Sequence, residues 1–588
     1  MGYLPTDPAN FASEAIDGFA AAYPRHVRRI DGGVMRLAPI PSGQVGVVVG
    51  GGSGHYPAFA GLVGRGLAAG AVCGNIFASP SAGQVVRVGS AVERGAGLLL
   101  TFGNYAGDVL HFTLGAERLR RQGIDVRIVT VTDDIASAPI DQQELRRGIA
   151  GGLAVYKVAG AAAEAGLPLD EVERLARKAN GRTRSLGVAF SGCTLPGADQ
   201  PLFEVPSGRM AIGMGLHGEP GLSEGPLTEA GPLAALLVER LLAERPADVP
   251  EDQQRLVVLL NGLGCFKYEE LFVLFGAVNR ELQGRGVVMA DCECGELVTS
   301  LDMAGVSLSF FWLDGELEGF WNAAADSAAY RRGQLAAESD GPQPPPTQRP
   351  EPEPPSGPPT HTAAPLTPVQ QALLARFKAV EEELQERVEE LGGLDAVAGD
   401  GDHGLGMLRG IRGARESAIR ACGRGCGPGE VLMEAGEAWS DHGGGTSGAL
   451  WGGALLAAGQ SLAQAREIGP NDVAAAFGAA LQAVIDLGQA APGDKTMLDA
   501  LQPFCLRLRA DLDAGLDLAQ ALQNAANTSL EAATATADLL PQRGRARPHG
   551  QRSLGHPDPG AMSMAYCLLA ASAGYVGLHG VADPAQAS

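Results

Sequence analysis

The chain has 588 residues, of which 45% are hydrophobic and 19% charged, and its formal net charge is −22 at pH 7. A chain of this length predicts at least two folded domains, and its apolar content excludes a mainly disordered protein. The strong acidity gives no electrostatic support to nucleic acid or anionic lipid as partners, so any phosphate bound here requires a cation.

The N-terminus reads MGYLPTDPANFASEAIDGF, without the basic start and apolar core of a secretory signal. The sequence also lacks an apolar run of the length that crosses a bilayer. The cysteines are scattered, and the close pair Cys292 and Cys294 has no second pair to complete a zinc site. We therefore expect a soluble, cytoplasmic protein that neither spans nor binds a membrane.

Short β-rich runs follow in the first half at residues 46–50, 97–102, 126–132 and 255–260. Helical stretches such as GIAGGLAVYKVAGAAAEAG alternate with them. This alternation predicts an α/β domain of two subdomains over residues 1–333.

Three polar motifs stand out in this half. Gly50 to His55 follows a strand and exposes backbone N–H groups, but it has no Lys-Ser/Thr of a P-loop. Asp108 closes the motif GNYAGD after the next strand, where open α/β sheets bind ligands, so it is a plausible general base. His217 stands among small residues in GMGLHGEPG, which leave room for a ligand at the ring.

A Pro-rich segment containing GPQPPPTQRPEPEPPSGPP separates the two halves. Proline cannot supply helix or ladder hydrogen bonds and favours extended conformations, so we predict a linker over residues 334–366. A recognition motif for a Pro-binding module is the alternative for this segment.

The second half opens with LTPVQQALLARFKAVEEELQERVEEL and continues in long Ala/Leu segments, which predict an all-α domain over residues 367–588. Asp395, Asp400 and Asp402 form an acidic cluster suited to hard cations, although a lone cluster of this kind is also typical of a turn. The motif GGGTSG from Gly443 to Gly448 can present N–H groups and hydroxyls to phosphates at a helix start.

These motifs together resemble one family. GGGSGH, GNYAGDVLHF, GAAAEAG and GMGLHGEPG are similar, in this order, to the substrate domain of dihydroxyacetone kinases. The acidic cluster, GGGTSG, PGDKTMLD, GRA and GHPDPG resemble the nucleotide domain of the same kinases. The resemblance implies an ATP-dependent kinase for a short ketose, with Mg²⁺ as its cofactor and a helical barrel as its second domain.

The resemblance also implies roles for residues of the first domain. His217 would attack the substrate ketone and hold it as a hemiaminal, and Asp108 would accept the proton of the terminal hydroxyl. His55 would assist at the same centre. The substrate oxygens would contact Gly52, Ser53, Gly54, His55, Gly103 and Asp108.

In the second domain, the resemblance implies that Asp395, Asp400 and Asp402 hold two Mg²⁺ ions that bridge the ATP phosphates. The positions matching nucleotide contacts are His403, Gly404, Leu405, Gly406, Thr446, Ser447, Gly488, Met497, Arg545, Asp558, Pro559 and Gly560. Met497 would contact the base.

Two departures from the family pattern bear on specificity. Dihydroxyacetone kinases commonly carry Lys five residues before the Asp of GNYAGD, where this chain has Gly103, so the site has lost a charge and gained space. The loop between Arg545 and Gly555 lacks the usual Tyr-Leu-Gly pattern. Residues 133–151 resemble the branch of the family that acts on four-carbon ketoses. Together with Gly103, this resemblance favours erythrulose over dihydroxyacetone as the substrate.

The resemblance further implies a homodimer, and the absence of a phosphocarrier domain favours free ATP as the donor. Two other functions stay open: a lyase that cyclises the ribityl phosphate of FAD, and a non-catalytic ketose sensor that uses His217. The acidic cluster argues against the sensor.

Overall fold

The computed structural model describes residues 8, 10–198, 200–219, 221–250, 254–335, 366–399, 401–463, 468–542 and 550–573. Asp400, Arg545, Pro220 and most of the predicted linker, residues 336–365, lie outside these ranges.

The first half is built from strands and helices that alternate along the chain, as predicted. Its strands are β1 Val27–Ile30, β2 Gly33–Arg36, β3 Gly46–Ser53, β4 Gly64–Arg65, β5 Gly70–Ile76, β6 Leu98–Gly103, β7 Val126–Val131, β8 Thr183–Ala189, β9 Arg209–Ile212, β10 Ser223–Pro226, β11 Arg255–Gly262, β12 Val288–Gly295, β13 Gly305–Trp312, β14 Ala325–Ser327 and β15 Arg331–Arg332. Its helices are α1 Phe11–Ala22, α2 Ala82–Val92, α3 Ala106–Arg121, α4 Gly152–Glu164, α5 Leu169–Gly181, α6 Ala230–Ala243, α7 Tyr268–Gly284 and α8 Gly315–Asn322.

The strands form two six-stranded sheets and one small sheet. The first sheet has the order β1-β2-β5-β3-β6-β7, and its strands β5, β3, β6 and β7 are parallel. The second has the order β10-β9-β8-β13-β11-β12 and is antiparallel except for β11 and β12. Strands β15, β14 and β4 make the small sheet. The two large sheets confirm the prediction of an α/β domain with two subdomains.

The apolar runs of the sequence form the central strands because both of their faces are covered. Val47, Val48 and Val49 of β3 are fully buried, as expected for a parallel strand between two layers of helices. On α5, Leu169, Val172 and Leu175, with others at the same spacing, face the core, while its charged side chains face solvent.

The second half is helical throughout its described residues. Its helices are α9 Pro368–Glu386, α10 Val388–Ala396, α11 His403–Gly423, α12 Pro428–Gly443, α13 Gly445–Leu462, α14 Pro470–Gly488, α15 Leu498–Asp513, α16 Leu518–Ala535, α17 Gly550–Ser553 and α18 Pro559–Ser572. Among the described residues, short 3-10 turns cover Phe59–Leu62, Ile140–Leu145 and Thr536–Asp538.

The long helices of this half close into a ring. From α11 to α16 each helix packs on the next, α16 packs on α18, and α18 and α11 both pack on α9. Tight contact between α12 and α13 depends on glycine, because a Cβ atom on Gly436 would lie 2.7 Å from the carbonyl oxygen of Gly452. The ring confirms the expected helical barrel. None of the helices in the described ranges is both long enough and apolar enough to cross a bilayer.

Candidate active site

A cavity of about 660 Å³ lies where the two halves of the chain meet. From the α/β half it is lined by Gly52 at the end of β3, Gly103 at the end of β6, and the start of α3. From the helical half it is lined by the first turns of α11 and α13. The carboxyl ends of parallel strands are where open α/β sheets bind ligands, and here a second domain covers them.

His217 is held between His55 and Glu219 in the wall of this cavity. The Nε2 atoms of His217 and His55 lie 3.0 Å apart, and Nδ1 of His217 lies 3.0 Å from Oε1 of Glu219. Nδ1 of His55 lies 2.8 Å from the carbonyl oxygen of Thr299. Glu219 also accepts the backbone N–H of His217 at 3.0 Å. The ring of His217 is therefore fixed on both nitrogens.

This hydrogen-bond pattern assigns the protons. A carbonyl oxygen only accepts, so His55 carries its proton on Nδ1 and offers a lone pair on Nε2. Burial, and next the charge of His217, lower the pKa of His55 to about 3, so this ring is neutral. Burial alone would raise the pKa of Glu219, but the charge of His217, their hydrogen bonds and Arg147 outweigh it and hold that pKa well below its usual range. His217 thus donates one N–H to each neighbour.

The aromatic rings of His55, Phe77 and Tyr105 surround His217. Phe77 stacks on His55 with ring centroids 4.9 Å apart, and its ring also meets that of His217 edge-on at 5.0 Å. Tyr105 approaches His217 from another side, with centroids 5.1 Å apart at an angle of 84°. The rings restrict the imidazole to one orientation and keep bulk water away from it.

Asp108 lies in the first turn of α3, where it is buried and lines the cavity. The neighbouring Gly107 approaches the helical half closely, since a Cβ atom there would lie 3.6 Å from the backbone nitrogen of Thr446. One turn further along α3, His111 Nε2 lies 2.7 Å from the carbonyl oxygen of Gly445. The start of α3 therefore packs against the start of α13, and Asp108 lines the cavity that both helices border.

Asp395 and Asp402 face the cavity from the helical half. Burial, and next the charge of Asp395, raise the pKa of Asp402 to about 6. Two carboxylates held close together in a buried site fit a divalent cation, which would remove this repulsion. In the described ranges no group of three potential ligand side chains comes together, and the third predicted ligand, Asp400, is outside them.

Most of the predicted nucleotide positions line the same cavity. They are His403, Gly406, Thr446, Ser447, Gly488, Met497, Asp558, Pro559 and Gly560. Thr446 and Ser447 lie in the first turn of α13, where free N–H groups and the helix dipole favour an anion. His403 is anchored by Ser563, with Nε2 and Oγ 2.9 Å apart. Burial raises the pKa of Asp558 to about 7.

Four predicted positions do not line the cavity. Ser53 turns away and donates its Oγ to the carbonyl oxygen of Gly74 at 2.6 Å. The carbonyl of Gly54 accepts from the backbone N–H of Leu301. Gly404 packs against the backbone of Val388, and Leu405 is exposed on the outer face of α11. A contact with a ligand in the cavity would require these residues to move. Arg545 is outside the described residues.

Sequence reasoning missed three residues beside His217. Glu219 was part of the motif GMGLHGEPG and Tyr105 part of GNYAGD, yet neither received a role. Arg147 lies 3.6 Å from Glu219 and donates to Asp134 at 3.2 Å. A carboxylate two residues after the histidine was a usable signal for Glu219. Only the fold brings Arg147 to this place.

Comparison with known proteins adds to this geometry. Residues 17–329 match the family model described as Dak1 domain, and residues 397–573 match the one described as DAK2 domain. An L-erythrulose kinase from Pectobacterium atrosepticum is 50% identical over 574 residues, covering 97% of this chain and 96% of that protein. A D-erythrulose kinase from Mycolicibacterium smegmatis is 50% identical over 572 residues, covering 96% and 97%. The crystal structure of the dihydroxyacetone kinase from C. freundii in complex with AMP-PNP and Mg²⁺ is similar at 30% identity with a TM-score of 0.52, covering 97% of this chain and 99% of that one.

Proposed function

The chain belongs to the dihydroxyacetone kinase family and is an ATP-dependent ketose kinase, and from this premise we propose that it phosphorylates a terminal hydroxyl of erythrulose held as a hemiaminal on His217. One observation carries the proposal. The His55, His217 and Glu219 array and the carboxylates Asp395 and Asp402 line one continuous cavity. An acceptor bound at the first group therefore faces a nucleotide bound at the second.

The hydrogen bonds of His217 support the covalent step. Nε2 of His217 first gives its proton to the lone pair on Nε2 of His55, which frees an electron pair on Nε2 of His217. That pair bonds to the carbonyl carbon, the C=O π electrons move to the oxygen, and the oxygen takes the proton from His55. The products are a hydroxyl on the former carbonyl carbon and an imidazolium that keeps its Nδ1 proton beside Glu219. Glu219 stabilises this cation throughout. A polyol such as glycerol has no carbonyl and cannot be held in this way.

The transfer step follows from the position of Asp108. Its carboxylate lines the same cavity as Thr446 and can take the proton of the terminal hydroxyl as that oxygen attacks the γ-phosphorus of ATP, whose leaving group is ADP. A Mg²⁺ ion at Asp395 and Asp402 would neutralise the phosphate oxygens. The N-terminus of α13 adds N–H groups for the same purpose.

The choice of erythrulose has two supports. Two relatives at 50% identity carry the names L-erythrulose kinase and D-erythrulose kinase. Gly103 lines the cavity at the position where dihydroxyacetone kinases commonly carry Lys, so the cavity of this chain lacks that positive charge. Because a glycine here also leaves more space than a lysine, the site accommodates a longer ketose.

The test measures ATP consumption with Mg²⁺ for dihydroxyacetone, D-erythrulose, L-erythrulose and glycerol. We expect the highest kcat/KM for one erythrulose enantiomer and none for glycerol, and His217→Ala should lower kcat/KM by about 100-fold or more. His26→Ala is the matched control, because His26 lies outside the cavity. If no ketose is phosphorylated, the proposal fails; cyclisation of FAD or ketose binding without turnover would then identify the alternative functions.

A second measurement isolates the covalent step. A ketose labelled with ¹³C at its carbonyl carbon should give a tetrahedral-carbon resonance on binding to the wild type without ATP. The resonance should be missing for His217→Ala. A carbonyl resonance in the wild-type complex would contradict the hemiaminal while leaving the kinase intact.

Two further expectations accompany this function. We propose that residues 1–333 and 367–588 act as ketose and nucleotide domains joined by the linker 334–366. We also propose a homodimer, as the family resemblance implies; sedimentation of the full chain at equilibrium would test it, and a monomer at micromolar concentration would refute it.

A further inference from the structure

The wall of the cavity beside His217 contains a phenol without a hydrogen-bond partner. Within the described residues, the hydroxyl of Tyr105 is buried and bonded to no other group. The ring lines the cavity and contacts His217 edge-on. A buried hydroxyl without a partner is destabilising, so proteins seldom keep one without a use.

Charged groups behind the phenol fix its surroundings. Burial raises the pKa of Tyr105 most. The charges of Glu219, Asp134 and Asp133 raise it further, and Arg147 lowers it. Arg147 is itself held in place, since it donates to Asp134 at 3.2 Å, while its Nε is a second buried donor without a partner in the described structure. An unpaired phenol in the wall of the cavity suits a ligand that brings oxygen atoms.

Gly103 is coupled to the position of the Tyr105 ring. A Cβ atom on Gly103 would lie 3.0 Å from Cε2 and 3.1 Å from Cδ2 of that ring, so the ring would have to shift slightly to admit it. Tyr105 also donates its backbone N–H to the carbonyl oxygen of Gly103 at 2.8 Å. Part of the space left by the missing lysine is therefore taken up by the ring of Tyr105.

The two ends of the bound ketose have different surroundings. In the proposed complex the carbonyl carbon is bonded to Nε2 of His217, and the end to be phosphorylated points towards Asp108 and Thr446, which line the same cavity. This arrangement places the remaining end beside Tyr105 and Gly103, which also line the cavity. In a four-carbon ketose that end carries one more hydroxymethyl carbon than in dihydroxyacetone.

We propose that Tyr105 determines specificity by donating its phenol hydrogen to the hydroxyl on the carbon that a four-carbon ketose has and dihydroxyacetone lacks. Arg147 is a positioning residue for this recess. The inference rests on the proposed function, because it deepens the choice of substrate at the same site.

Tyr105→Phe tests it by removing one oxygen atom and keeping the ring. For the erythrulose enantiomer that the wild type prefers, kcat/KM should fall about 10- to 100-fold, while the value for dihydroxyacetone should stay within about 3-fold. Most of the change should be in KM and in ketose binding measured by calorimetry without ATP. The melting temperature should be unchanged or higher, because the free protein loses an unsatisfied group.

Tyr330→Phe is the matched control. The hydroxyl of Tyr330 accepts from Arg332 at 3.0 Å outside the cavity, so its loss should lower the melting temperature without changing the ratio of the two substrates. If Tyr105→Phe lowers kcat/KM equally for both ketoses, or for neither, the assignment of Tyr105 is overturned. If the wild type phosphorylates neither ketose, the proposed function has failed instead, and the two results are distinct.

Discussion

Ser81 and Asp441 link the two halves of the chain directly: Oγ of Ser81 donates to Oδ1 of Asp441 at 2.5 Å. Arg87 donates to the other carboxylate oxygen of Asp441 at 3.1 Å, and the backbone N–H of Gly445 reaches the carbonyl oxygen of Ser79 at 3.3 Å. One carboxylate of α12 thus bonds to Ser81, which caps the start of α2, and to Arg87 in the middle of α2. It therefore ties α2 of the α/β half to α12 of the helical half.

Asp441→Ala should therefore lower kcat about 10- to 100-fold, because small misplacements of reacting groups have effects of that size. Binding of ketose alone and of nucleotide alone should change little, since Asp441 does not line the cavity. Initial rates and calorimetric titrations would measure both. Asp486→Ala, which removes an exposed carboxylate of α14 bonded to Gln482, is the control. An unchanged kcat in Asp441→Ala would show that this contact does not align the halves.

Glu219→Gln should lower kcat/KM for the ketose about 10- to 100-fold, because the amide keeps the shape but removes the charge that stabilises the imidazolium of His217. The ¹³C resonance of the bound ketose should weaken in parallel, which separates loss of the hemiaminal from a general defect. Glu204→Gln removes the charge of an exposed glutamate nearby in the sequence and should leave both readouts unchanged. A full hemiaminal signal in Glu219→Gln would contradict the role of the carboxylate.

The buried His55 should make stability depend on pH. Its pKa falls from 6.5 to about 3 in the folded protein, so between these values the unfolded chain binds more protons than the native one. Its contribution is complete above pH 6.5 and is lost progressively as the pH falls towards 3. The gradient is at most about 1.4 kcal/mol per pH unit.

His55→Gln should remove this part of the gradient. Urea unfolding between about pH 6 and about pH 4 should show a free energy that falls less steeply for the variant than for the wild type. His111 and His403, whose pKa values burial also lowers, remain in both proteins and cancel in the difference. Identical slopes would mean that His55 is protonated in the native state.

The sequence alone was enough to predict those strands that are continuous apolar runs. The run predicted at residues 46–50 became β3, and the runs at 126–132 and 255–260 became β7 and β11, because buried strands between helices contain few polar residues. The opposite case is β12, Val288–Gly295, whose sequence VMADCECG alternates charged and thiol side chains. Its Asp291 accepts from Arg332 and from Trp321, contacts that no local pattern indicates.

The site shows the same division. His55, Asp108 and His217, which all line the cavity, could be proposed from the sequence because each stands in a recognisable motif. Arg147 was missed, since it reaches Glu219 only through the fold, and the bond between Ser81 and Asp441 joins residues that are 360 positions apart. Interactions of this range depend on how two domains dock, which hydrophobic periodicity does not encode.

Gly103→Lys should move the specificity towards dihydroxyacetone. A side chain at this position forces the ring of Tyr105 away from its place and returns a cation to the cavity. We expect kcat/KM for erythrulose to fall about 10-fold or more and the ratio of dihydroxyacetone to erythrulose to rise. Gly181→Lys, at an exposed position with open space around it, controls for the added charge. An unchanged ratio would show that Gly103 does not select the substrate.

Gly436→Ala should destabilise the helical half, because the new methyl group would lie 2.7 Å from the carbonyl oxygen of Gly452 in the neighbouring helix. Both α12 and α13 would have to separate, and α13 carries Thr446 and Ser447 at its start, so nucleotide affinity should fall together with stability. Gly478→Ala is the matched control, since it lies exposed inside α14 with no atom within 4 Å of the added Cβ. Alanine is favoured over glycine by about 1 kcal/mol in a helix, so the control should be stabilised. Calorimetric scans of the two variants therefore isolate the close helix contact: equal shifts in melting temperature would mean that α12 and α13 can separate without cost.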